Sequence, residues 1–125
     1  MGWRVKAIRG ATTVEANTVE AMRAAVEELL DQLEAHNPLN PEEIVSVTFS
    51  VTPDLDAMFP AAVARQRPGW DIVPLLDVQQ MQVDGALSHC IRLMLLLNCN
   101  DPERRIVHPY LRGAQALRPD WALIP

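Results

Sequence analysis

The chain has 125 residues, about half of them apolar, and a formal net charge of −5, which suits one globular domain with a core of ordinary size. The acidic balance argues against a broad nucleic-acid or anionic-membrane face, so any anion site must be local, and no apolar run reaches the length of a membrane span. Two cysteines, Cys90 and Cys99, and three scattered histidines, His36, His89 and His108, lack disulfide-scaffold or metal-ligand spacing, so neither a metal nor a structural disulfide is expected.

The N-terminal "MGWRVKAIRG" has none of the charged-then-apolar order of a secretory signal, and a cytoplasmic protein is the expectation. It alternates, with Trp3, Val5 and Ala7 on one face and Arg4, Lys6 and Ile8 on the other, which predicts a strand ending at Gly10. Next, Asn17 is placed to cap and Glu20 follows three residues later. Val19, Met22, Val26, Leu29, Leu30 and Leu33 then form one stripe, a helix of about five turns lying on a sheet. Asn40, Pro41 and two glutamates predict a short helical turn, and "IVSVTFSVT" is the strongest strand signal. "PDLDAMFPAAVARQRPGW" reads as a loop and short helix carrying Phe59 and Arg65, closed by a turn.

"DIVPLL" predicts a third strand, the segment from Asp77 to Gly85 is polar and irregular, and "ALSHCIRLMLLLN" predicts a long fourth strand. "RIVHPYLRGAQALRPDW" gives a short strand ending near Tyr110, a helical turn and an edge segment. This order predicts a single α+β or mixed α/β domain over residues 1–125, with helices largely on one face of the sheet. The fourth strand is apolar on both faces and the helices are too few to cover both. Other subunits are expected against the remainder.

Arg92 stands inside the apolar fourth strand. A guanidinium cannot shed its proton to escape burial, so it needs an anionic partner. Asp77 and Asp84 are the nearest carboxylates in sequence, in a segment otherwise filled with neutral amides. From the residues alone the partner is an internal carboxylate, solvent at the surface, or an anion from outside the chain.

Five segments, "IRGATTVE", "TPDLDAMFPAAVAR", "GWDIVPLLDVQQMQVDGAL", "CIRLM" and "VHPYLRGAQALRPD", in this order and spacing, resemble the AroH class of chorismate mutases, the trimeric mixed α/β kind. The resemblance runs from about residue 3 to residue 121. It implies a mixed five-stranded sheet with one long helix and short helices on one face, and a homotrimer forming a pseudo-α/β barrel. The implied reaction is the pericyclic rearrangement of chorismate to prephenate, without cofactor or metal, in the shikimate pathway to Phe and Tyr. Such a site must fix two carboxylates, place a cation where the ether oxygen gains negative charge, and place an anion by the ring.

By the same resemblance Arg92 contacts the ether oxygen and a carboxylate, where a planar fork suits the task better than lysine. Arg9 and Tyr110 hold the substrate carboxylates, and Arg118 with Leu117 closes over the site from the C-terminal segment. Phe59, Ala61 and Arg65 form the wall and rim, Leu75 and Leu76 the strand-end wall, supplied by a neighbouring subunit. Each has a plainer reading: a solvated strand-end charge for Arg9, an anchored core aromatic for Tyr110, a surface ion pair with Asp120 for Arg118.

The chain departs from the family at Gln80, where a glutamate usually accepts the ring hydroxyl, and at Asp77, usually a small uncharged residue. The expectation is that Asp77 supplies the relocated anion, which requires a bend between positions 77 and 80, because a regular strand points them opposite ways. The competing class is a non-catalytic trimer binding a small anion as a regulatory module. The anion beside the ring separates the two, since only catalysis rewards it strongly.

Overall fold

The computed structural model describes residues 2–122. The N-terminal alternation folds as β1 (Arg4–Thr13), followed by α1 (Val19–His36), β2 (Ile44–Val51), α2 (Pro60–Arg65), β3 (Leu75–Gln79) and β4 (Cys90–Cys99). The strands lie in the order β1-β4-β2-β3, with β4 antiparallel to both β1 and β2, and β2 parallel to β3. The sheet is therefore mixed, as expected, and has four strands among the described residues.

The expected fifth strand is reduced to isolated bridges from Tyr110 to Ala11 and to Ala122. Pro109 has no N–H with which to continue a ladder. The segment is held instead by Ala11 N–H to the Pro109 carbonyl (3.0 Å) and Leu111 N–H to the Ala11 carbonyl (2.9 Å). A Cβ on Gly10 would stand 3.2 Å from that Pro109 oxygen and 3.4 Å from Leu29. Glycine here lets the 107–110 segment and α1 crowd the same point of β1.

Thr18, rather than Asn17, caps α1: its Oγ1 accepts the Ala21 N–H at 3.1 Å. Asn17 instead accepts the N–H groups of Asp56 and Ala57, tying the helix start to the loop before α2. Along α1, Met22, Ala25, Val26, Leu29, Leu30 and Leu33 are buried, packed with Ile8, Val47, Phe49, Leu93, Leu95 and Leu97 of the sheet. Val19, expected in that stripe, is exposed.

"DIVPLL" is not one strand. Trp70–Ile72 is a 3-10 turn following Gly69, whose φ of 82° is the left-handed region glycine favours, and β3 begins only at Leu75. It then runs regularly through Gln79, where an irregular segment was expected. At the other end of the excursion His89 takes φ 48°, so β4 begins at Cys90 rather than near Ala86.

Register assigns the faces, since ladder partners project to the same side. Ala11, Arg92, Ser50 and Val78 form one row across the sheet, and Gly10, Leu93, Phe49 and Asp77 form the next. The second row looks toward the helices, where Leu93 and Phe49 join the core. The first looks away from them, onto a face that leaves Val5, Leu76, Val78 and Met94 exposed.

Candidate active site

Pairing of β1 with β4 puts Arg9 opposite Met94 and Ala11 opposite Arg92, so both arginines project from the face turned away from the helices. Arg92 is half-buried, and its Nε is buried without a hydrogen-bond partner. None of the carboxylates expected to answer it, Asp77 or Asp84, is paired with it among the described residues. Burial pushes the Cys90 thiol up; the neighbouring Arg92 charge and hydrogen bond work against that rise, and Asp54 adds to it. Cys90 and Cys99 are both free and buried.

Tyr110 is buried with Ala11 and Ala114, and Leu117 and Trp121 pack against that small cluster. The C-terminal segment thus folds back over the same edge of the sheet. Trp121 meets the Tyr110 ring edge-on at 5.6 Å and stacks on His108 at 3.9 Å between centroids. Arg118 lies 3.4 Å over the Trp121 ring and forms a two-bonded ion pair with Asp120, at 3.1 and 2.8 Å. The surface pair read as the plainer alternative for Arg118 is therefore present, and it coexists with a position beside Tyr110.

The wall residues gather elsewhere. Phe59 precedes α2 and is exposed, Ala61 is buried in its first turn, and Arg65 is exposed at its end. Phe59, Ala62, Met58, Val19 and Asp77 line a cleft of about 570 Å³, a volume within the range of small-molecule sites. Leu75 packs against the core from the helix side, whereas Leu76 projects from the open face.

Asp77 belongs to this wall, and the bend expected between positions 77 and 80 is absent because β3 stays regular to Gln79. Its Oδ1 accepts the Ala61 N–H at 3.0 Å, at the start of α2. Asp77 and Arg92 of one chain therefore lie on opposite faces of the sheet and do not meet. Burial raises the Asp77 pKa, while the Ala61 N–H and the Arg65 charge oppose that rise. Gln80 falls two residues beyond Val78, on the Arg92 side, with its N–H on the Val51 carbonyl (2.8 Å) and its Oε1 buried without a partner.

Two further residues organise the approach to Arg92. Asp54 accepts the His89 N–H through both oxygens, at 3.2 and 3.0 Å, and the Thr52 hydroxyl, pinning the residue just before β4. Its burial would raise its pKa, but the Thr52 and His89 contacts hold it below the usual value. The signal was in the sequence as "TPD", a turn-forming run directly after β2, but its partner lay far along the chain.

The candidate residues thus fall into two groups: Arg9, Arg92, Tyr110 and Arg118 toward the open face and the C-terminal segment, and Phe59, Ala61 and Arg65 around α2 with Asp77 of β3. Such a mixed α/β domain carries a half-buried arginine on its bare sheet face, its Nε without a partner among the described residues, a group suited to a small anion. Comparison narrows the class. Residues 5–121 match the family model of chorismate mutase type I. The chain is 41% identical over 119 residues to chorismate mutase AroH of Bacillus subtilis (strain 168), covering 95% of this chain and 94% of that protein. It is 47% identical over 117 residues to chorismate mutase AroH of Thermus thermophilus, covering 93% and 95%. A solved chorismate mutase from Clostridium thermocellum superposes with a TM-score of 0.83 at 41% identity, over 89% of this chain and 98% of that one. The chain belongs to the chorismate mutase type I family, and it is an isomerase with chorismate mutase activity.

Proposed function

We propose that this chain rearranges chorismate to prephenate at sites completed between the subunits of a homotrimer, each pairing the cationic half of one copy with the wall of the next. The observation that carries this reading is the buried, unpartnered Nε of Arg92. An uncompensated guanidinium is costly in a resting protein and becomes favourable when a ligand oxygen meets it. Arg92 binds the ether oxygen and one carboxylate, so its contact strengthens as the bond breaks. Arg9, Tyr110 and Arg118 hold the carboxylates, and Arg118 exchanges Asp120 for substrate as the C-terminal segment and Leu117 close.

The neighbour's exposed Phe59 and Arg65 press the substrate into its reactive shape, with the buried Ala61 and partly buried Leu75 fixing the wall behind them and Leu76 on the open face. Gln80 offers its amide to the ring hydroxyl from the Arg92 side. Asp77 supplies the anion beside the ring from the neighbouring wall, which suits a carboxylate whose Oδ1 alone is engaged by Ala61. The exposed Leu76, Val78 and Met94 on the open face support assembly, since a head-to-tail contact would bury them and forms a ring where its rotation closes. The same reading makes the protein a cytoplasmic enzyme of Phe and Tyr biosynthesis, acting without a cofactor.

Following the loss of chorismate absorbance tests this assignment. Wild type turns chorismate over, and Arg92→Lys, which keeps the charge but loses the directed fork, lowers kcat by about 10²–10³. Equal turnover of the two would remove Arg92 from the chemistry.

A further inference from the structure

His108 lies between the two outer arginines of the cationic half-site. Its Nδ1 accepts the backbone N–H of Arg9 at 2.9 Å, which requires an unprotonated Nδ1. Its ring stacks on Trp121 at 3.9 Å and 29° between planes, and Trp121 in turn carries the Arg118 guanidinium on its ring. One imidazole therefore touches the strand that presents Arg9 and the platform that presents Arg118.

We propose that His108 and Trp121 are a positioning pair that preorganises Arg9 and Arg118 for the substrate carboxylates, and that protonation of His108 dismantles it. This rests on the reading of those arginines as substrate-binding groups. The charged groups facing His108 are Arg9 from β1, and Arg118 and Asp120 from the C-terminal segment. A proton on Nδ1 removes the acceptor for the Arg9 N–H and adds a third positive charge beside two arginines, with only Asp120 opposing. Burial, then Arg118 and Arg9, hold the His108 pKa below its ordinary value, against smaller upward contributions from the Arg9 backbone contact and Asp120. The pair is accordingly intact at neutral pH and fails once the pH drops through that lowered value.

The consequence falls on substrate binding rather than on the bond-breaking step, so KM and kcat separate. In steady-state assays with chorismate, Trp121→Ala raises KM about 2- to 5-fold, the worth of a solvent-exposed cation–π contact, with a smaller change in kcat. Trp121→Phe, which restores a ring, recovers most of the loss. As the pH falls below the ordinary histidine value of about 6.5, the wild-type KM climbs. His108→Asn keeps an acceptor for the Arg9 N–H but cannot titrate, so its KM stays flat over the same span.

An unchanged or lower KM in Trp121→Ala, or a wild-type acid rise retained in His108→Asn, overturns the proposal. Arg118→Ala is the control for the reading beneath it. If that variant binds chorismate as well as wild type, Arg118 does not touch substrate, and both the reading and the pair built on it fall. If Arg118→Ala raises KM while Trp121→Ala does not, the pair alone fails.

Discussion

Arg92 and Asp77 show how differently two charged residues of adjacent segments are used. Arg92 is conspicuous in the sequence because a permanent cation in an apolar strand demands an explanation, and its Nε has no partner among the described residues. Asp77 drew notice for the opposite reason, as a carboxylate at a position the family usually keeps uncharged. Its direction depended on whether β3 stayed regular, which is decided by pairing with β2 and not by local composition. The carboxylate has two tasks that substitution can separate. Asp77→Asn keeps an oxygen for the Ala61 N–H and removes the charge, so stability is held while kcat falls about 10²-fold or more. Asp77→Ala also leaves that N–H without its acceptor and lowers stability by about 1–3 kcal/mol. Melting temperature and turnover measured on both variants check the split; an Asp77→Asn enzyme within a few-fold of wild type would leave Asp77 with the structural task only.

At the scale of elements, periodicity carried the reading where structure is local. α1 and β2 fall where their patterns predicted, because one buried stripe and one β-branched alternation each decide their own conformation. Boundaries set by distant partners were less legible. Asn17 and Thr18 are both good caps, and the choice between them is made by the Asp56 and Ala57 N–H groups that occupy Asn17. β3 ends in polar residues because it is an edge strand, and polarity alone looked like a loop. The cap assignment has a direct consequence: Thr18→Ala costs about 1 kcal/mol of stability in chemical denaturation. Asn17→Ala leaves α1 capped and instead loosens the loop leading to Phe59, so its effect appears in KM more than in the helix signal.

At the scale of the whole molecule, the lowered His108 pKa predicts a dependence of stability on pH. Its pKa is depressed in the fold from an ordinary value of about 6.5, so the unfolded chain takes up the proton first. The stability this neutral ring contributes is complete above about pH 6.5 and drains away as pH falls through the lower folded value. The wild-type melting temperature should therefore drop more between neutral and mildly acid pH than that of His108→Asn, and parallel curves would show that the ring titrates freely. The Arg118–Asp120 pair was legible as two neighbouring charges, but the ring contacts among His108, Trp121, Tyr110 and Arg118 were not, since they depend on the C-terminal segment folding back across Tyr110.

The separation of cations from wall within one chain makes the shared site the central claim, and subunit mixing tests it most directly. Arg92→Ala disables the cationic half, and Phe59→Asp sets a negative charge on the exposed wall against the dianion; each protein alone should be inactive toward chorismate. Co-expressed as random mixed trimers in equal amounts, the two should restore about one quarter of the sites, because each mixed ring contains one junction between an intact cationic half and an intact wall. Activity approaching that fraction of wild type is the predicted result. Mixed trimers as inactive as their parents would contradict it, since they would put the whole site within a single chain.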